Sequence, residues 1–198
     1  QGALNPELTV DYLVSLVAAL RDEFPNAHIH AFSPTEVHFA ARRARIPARE
    51  ILLQLREAGL DSMTGTGADI LNDKVRKKIS PDRVRTADWI DIVKTAHHLG
   101  IRSTASIVVG HVENEIHVCE HIEIIRKIQM ETGGFTEFQI LPFTPAGTTL
   151  GADRTGPAPV PLAQLLKLVA VCRIFFGNAL QNIQTPWILF GLPEAIQS

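Results

Sequence analysis

Cysteine is nearly absent from this chain, with two residues, Cys119 and Cys172, in 198. They stand far apart and share no metal-binding spacing. A disulfide scaffold is therefore excluded, both thiols read as core residues, and the cytosol is the expected compartment. No apolar run is long enough to cross a bilayer, and there is no signal-peptide pattern or basic amphipathic tail, so no membrane partner is expected. Excess charge is lacking too. A formal net charge of -2 argues against nucleic acid as a partner. Methionine is missing from position 1, where Gln1 stands, and a helical pattern follows almost at once. An α/β domain would open on a strand, so a preceding segment is expected.

What is present is a chain 45% hydrophobic, enough to bury the core of one domain. Thr9 caps a predicted helix over residues 10–24, with Tyr12, Leu13, Leu16, Val17 and Leu20 on its apolar face. Residues 27–32 alternate: Ala27, Ile29 and Ala31 face one way, His28, His30 and Phe32 the other. Ser33-Pro34-Thr35-Glu36 is a capping box with proline at the first helical position. A helix from Pro47 stops at Gly59, and residues 60–63 suit only a short strand. Gly65 and Gly67 permit a tight turn and close approach to a ligand, and residues 68–71 are expected to restart a helix.

Residues 73–85 read as a basic surface loop or short helix. Thr86 is expected to cap the helix carrying Trp89, Ile90, Val93 and Ala96. Residues 101–110 form the clearest strand, with Thr104, Ser106 and Val108 on one face and Ala105, Ile107 and Val109 on the other. A long helix follows, with Ile116, Cys119, Ile122 and Ile125 as its apolar stripe, ended by Gly133 and Gly134. In the strand over residues 135–141, Glu137 and Gln139 share a face. A proline-rich connection, a helix over 162–176 and a short strand holding Asn182 and Gln184 complete the chain.

Helix-separated strands with one polar face each do not suit a doubly wound sheet, whose strands are apolar on both faces. They suit an α/β fold of the partial β/α barrel type with a polar interior. The standout residues cluster at strand carboxyl ends, the rim where such barrels place their chemistry. A single domain is expected over 1–198, with barrel elements in 1–150 and the connection, last helix and last strand in 151–198.

Several side chains are candidates for a site. His28 and His30 share a face, but no third ligand is spaced to help, so no metal is assigned; hydrogen-bonded core histidines are the commoner case. His111 stands between strand and helix, where packing explains it poorly. Glu113 suits either a ligand or the start of a helix. Glu137 is a carboxylate inside the expected barrel, which is costly without a partner. Asn182 and Gln184 follow the same logic. The catalytic candidates are Glu137 and His111.

With these residues placed, the chain resembles the radical S-adenosylmethionine enzymes of the deazaflavin and futalosine branch. The resemblance runs through Gln1-Gly2-Ala3-Leu4-Asn5-Pro6, His28-Ile29-His30-Ala31-Phe32-Ser33-Pro34, the stretch over 59–71 and Thr95-Ala96-His97-His98-Leu99-Gly100. It continues through Gly110-His111-Val112-Glu113, Glu131-Thr132-Gly133-Gly134-Phe135, and Asn182-Ile183-Gln184 with Trp187. Ala31-Phe32-Ser33-Pro34, Ser62-Met63 and Gly65-Thr66 lean toward the hydroxyphenyl transferase type, FO synthase subunit 2. Ala3, Thr64 and Asp69 depart from the family's usual glycine, proline and glutamate, and Ser106 and Val108 from its glycine and isoleucine.

The resemblance implies a radical-enzyme barrel missing its first strands. It implies two cofactors, S-adenosylmethionine and a four-iron four-sulfur cluster whose Cys-x-x-x-Cys-x-x-Cys ligands precede Gln1. As given, the chain is not expected to generate the radical. Gln1, Gly2, Ser33, Ser62, Ser106, Val108, Gly110 and Glu113 are implied to contact the cofactor. His28, His30, Glu137, Asn182 and Gln184 are implied to face substrate. The implied reaction joins a tyrosine-derived hydroxybenzyl fragment to aminoribityl uracil, and a second subunit of FO synthase then closes the deazaflavin ring. The alternatives are a futalosine-pathway enzyme of the menaquinone branch (the cyclase or aminofutalosine synthase) and a non-catalytic barrel fragment that binds a ligand or partner subunit.

Overall fold

Alternation along the two longest strands becomes two neighbouring parallel strands in the computed structural model, which describes residues 4, 5, 7–148, 150 and 158–186. The elements run α1 (Val10–Glu23), α2 (Pro34–Ala44), α3 (Ala48–Glu57), β1 (Ser62–Met63), α4 (Asp73–Ile79) and α5 (Thr86–His98). There follow β2 (Arg102–Val109), α6 (Glu115–Thr132), β3 (Phe135–Pro142), α7 (Leu162–Phe176) and β4 (Ile183–Gln184). All strands pair in parallel, in the order β1-β2-β3-β4. Consecutive order with helical crossovers is what a β/α barrel wall requires.

Helices α5 and α6 pack on β2, and α7 packs on β3 and β4. Ala105, Ile107 and Val109 of β2 and Phe138 and Ile140 of β3 are buried there with Trp89, Val93, Ile122, Ile125 and Val169. The strand period of two sends Thr104, Ser106, Val108, Glu137 and Gln139 to the opposite face. A second cluster joins α1, α2, α3 and α5 around Leu13, Val17, Val37, Ile51, Leu52, Leu55, Met63 and Ile92. The α/β architecture and the one-sided polar sheet agree with the sequence. Among the described residues no helix is long and apolar enough to cross a membrane.

Several local expectations are corrected. Residues 27–32 do not form a full strand: they meet β1 at one parallel bridge, His30 to Ser62. Phe32, at φ 60, turns into the helical core, opposite to its expected side. Residues 68–71 are irregular and make no helix; Asn72 caps α4 instead. The carbonyls of Gly67, Ala68 and Ile70 accept from the Arg76 guanidinium. Asp69 O accepts from Val108 N, and Leu71 N donates to His121, so these groups have partners no helix would give them. Arg85 is the N-cap of α5; Thr86 is its first residue, and its N–H and hydroxyl both donate to Asp73.

The apolar stripes also differ. On α1, Leu13 and Val17 are buried while Tyr12, Leu16 and Leu20 are exposed. On α6 the buried stripe is His121, Ile122, Ile125 and Ile128, and Ile116 is exposed. Cys119 lies exposed on that helix, so it is not a core thiol. Cys172 is buried, and burial raises its thiol to about 12.

Candidate functional site

The polar face of the sheet is assembled from strand positions two residues apart. At its β1 edge, His28 Nε2 and His30 Nδ1 each lie 2.7 Å from Ser62 Oγ. A hydroxyl has one proton, so at most one of these contacts is a donation from Ser62 and the other imidazole donates to it. Both histidines are exposed, which corrects the reading of them as core residues. Partial burial and the neighbouring His28 push the His30 imidazole down, against an opposing pull from Glu137. That pull places Glu137 and His30 on one electrostatic surface.

The glycine turn lies over β2. Gly65 N donates to Thr104 Oγ1 at 2.8 Å, and Ser106 Oγ donates to Gly65 O at 3.4 Å. A Cβ on Gly65 would fall 1.9 Å from Thr104 O. The close approach this glycine permits is thus to the protein's own strand, where the sequence suggested a ligand. Beneath the turn, Arg76 is buried and its guanidinium also donates to Val84 O, at 2.6 Å from Nη2. The expected basic surface segment therefore contributes an internal clamp.

At the rim after β2, Glu113 accepts from Gly110 N at 2.5 Å and from His111 N at 2.8 Å. Its carboxylate lies 2.9 Å from His111 Nδ1. Burial pushes the Glu113 carboxyl up, but the bonds from His111 and Gly110 outweigh it and hold the group at about 2. The buried His111 ring also meets Val108 O at 3.0 Å through Nε2. Gly110 packs on Val160, whose Cγ2 would lie 2.0 Å from an added Cβ. These three residues are bound up in shaping the turn.

On β3 and β4, Gln139 Nε2 donates to Glu137 Oε1 at 2.6 Å and Gln184 Nε2 to Glu137 Oε2 at 2.7 Å. Gln139, shown on this face by the alternation, belongs to the cluster although the sequence did not single it out; its position two residues after Glu137 was the signal. Asn182 behaves differently: its amide donates to Thr136 O at 2.9 Å, so it is not joined to Gln184 and Glu137.

Ser33 is buried as the N-cap of α2 and donates to Glu36 Oε2 at 2.7 Å. Its hydroxyl therefore has a structural partner. Ser106 and Val108 lie on the polar face. Gln1, Gly2 and Trp187 fall outside the described residues. Among the described residues no group of three or more His, Cys, Asp or Glu is placed to hold a metal. Two cysteines, one exposed on α6 and one buried against the sheet, do not fit an iron–sulfur ligand set.

Two further residues quoted from the sequence are structural. His97 Nδ1 lies 2.7 Å from Thr132 Oγ1, and Nε2 lies 2.9 Å from Ser103 Oγ. Thr132 gives its one proton to Ile128 O at 2.9 Å, so His97 carries its proton on Nδ1 and accepts from Ser103. Burial, with His98 adding to it, pushes the His97 imidazole down to about 4. Gly134 lies flat on this ring, whose Cγ would be 2.1 Å from an added Cβ.

A family model described as the Radical SAM superfamily matches residues 3–125. The chain is 45% identical over 193 residues to 5-amino-6-(D-ribitylamino)uracil–L-tyrosine 4-hydroxyphenyl transferase 1 of Methanosarcina acetivorans, covering 96% of this chain and 52% of that protein. The corresponding transferase of Gloeobacter violaceus is 41% identical over 203 residues, covering 98% of this chain and 52% of the relative. The chain thus spans about half the length of these curated relatives. The crystal structure of methylornithine synthase aligns with a TM-score of 0.62 at 18% identity, covering 94% of this chain and 48% of that one, a likeness of fold.

Proposed function

The chain belongs to the radical SAM superfamily, and on that premise we propose that it carries the substrate-side face of a transferase joining a tyrosine-derived hydroxybenzyl group to 5-amino-6-(D-ribitylamino)uracil, in the making of the deazaflavin FO. The observation that carries this reading is 39% to 45% identity across nearly the whole chain to enzymes of that name. The polar face supports it. Glu137, Gln139 and Gln184 present hydrogen-bonding groups where a polar, hydroxyl-rich substrate needs matched partners.

In this superfamily S-adenosylmethionine and a four-iron four-sulfur cluster supply radical initiation. Val108, half-buried on the polar face, would lie against the adenosyl group, while Ser106, buried with its hydroxyl on Gly65 O, would support the turn beside it. Gln1 and Gly2, outside the described residues, are assigned to the methionine end by the family resemblance alone. The cysteines of this chain do not provide the cluster's ligands, so its own residues are assigned substrate binding and orientation. The fixed turn at Gly65 and the clamp at Arg76 keep that face in shape. A second subunit that closes the deazaflavin ring is the expected partner.

The test is deoxyadenosine release and product formation by the complete enzyme, with each candidate substrate in turn. Turnover is expected with tyrosine and the ribitylaminouracil together. Turnover with a futalosine derivative, and none with that pair, would move the protein to the menaquinone branch.

A further inference from the structure

Glu137 is a carboxylate with no cation beside it. Among the described residues no ion pair includes it. Its two oxygens instead receive one amide each, from Gln139 and Gln184. A carboxylate only accepts, so each glutamine must turn its NH2 inward, which turns its carbonyl oxygen away. Gln139 and Gln184 are register partners on neighbouring parallel strands, so both side chains leave the same face of the sheet. No donor among the described residues meets either of them. The cluster thus sets one negative charge and two amide carbonyls on one face, with one N–H of each amide left beside them.

We infer that Glu137, Gln139 and Gln184 form a subsite for a primary ammonium group. An ammonium brings a positive charge for the carboxylate, which has no cation of its own, and donors for the two amide carbonyls. A substrate carboxylate would set a second negative charge against Glu137, and a neutral group would leave that charge unpaired. Partial burial and the neighbouring His28 push the His30 imidazole down, which disfavours a competing cation there. Resting on the functional reading above, the group bound here is the amino group of tyrosine. The two glutamines orient it, and Glu137 supplies the charge.

The experiment titrates the complete enzyme with three phenols: tyramine, tyrosine and 3-(4-hydroxyphenyl)propanoate, which lacks the amine. The side-chain amide signals of Gln139 and Gln184 are followed by NMR. Tyramine and tyrosine are expected to shift them, and the propanoate to leave them in place. Glu137→Gln is expected to weaken tyramine at least tenfold with an unchanged melting temperature, and Gln184→Ala, at the exposed edge, several-fold. Equal binding of the propanoate, undiminished binding by Glu137→Gln, or no response to tyramine would each overturn the inference. Tyramine binding without turnover by the complete enzyme would defeat the functional reading and leave this one standing. Turnover without amine-dependent binding would do the reverse.

Discussion

Gly65 donates its N–H to the Thr104 side chain at 2.8 Å while its Cα faces the Thr104 carbonyl so closely that a Cβ would fall 1.9 Å from that oxygen. The turn after β1 is therefore seated directly on β2. Its position over the polar face is set by backbone contact, which leaves no room for adjustment.

Gly65→Ala should destabilise the chain by roughly 3 kcal/mol, since the obstructing atom is backbone and overpacking there forces the turn to move. Gly100→Ala is the control. Gly100 has φ 80 but nothing within 4 Å of an added Cβ, so its cost is conformational, about 1–2 kcal/mol. Denaturant midpoints of the two variants measure the difference. Equal losses would mean the turn is not seated on β2.

Arg76→Met should cost roughly 3 kcal/mol or more, because the carbonyls of Gly67, Ala68, Ile70 and Val84 lose their donor in a buried place. Arg76→Lys should recover only part of this, as an ammonium cannot reproduce the planar fork. Hydrogen exchange should show the damage first at the amides of residues 65–71. Full recovery by lysine would count against the clamp.

Stability should fall as pH is lowered below about 6.5, in two stages. His97, at about 4, and His121, at about 3, are held neutral in the folded chain. The unfolded chain takes up protons at these imidazoles near the ordinary value of 6.5, so it binds more protons and gains on the native state as pH falls from 6.5 toward 4 and 3. For His97 the displacement corresponds to about 3 kcal/mol. Glu113, at about 2, stabilises the fold above its ordinary 4.5, and that contribution is lost between 4.5 and 2. Urea midpoints from pH 8 to 3 test this. In His97→Asn the decline between 6.5 and 4 should shrink; an unchanged slope would remove His97 from the account.

The amino-acid sequence by itself determined what depends on neighbours a few residues away. The alternation of β2 and β3 sorted Ser106 and Glu137 from Ile107 and Phe138. The Ser33–Glu36 capping box announced α2, and the glycine pair at 133 and 134 ended α6. These signals are local because strand pleat and helix capping are made within one turn or one strand.

Only the tertiary structure decided which faces meet remote elements. It turned residues 68–71 from an expected helix into a loop, because carbonyls a helix would have used point at Arg76. It joined His97 both to Ser103, on the strand just after its helix, and to Thr132, on a helix 35 residues further along. It left Cys119 and Ile116 in solvent while burying His121, since the burial of an α6 residue depends on what packs against that helix. The same holds for the candidate site. Alternation placed Glu137 and Gln139 on one face, but only the pairing of β3 with β4 brought Gln184 to the other carboxylate oxygen and turned Asn182 to the backbone. Side-chain partnership across strands follows register, and register is a property of the assembled sheet.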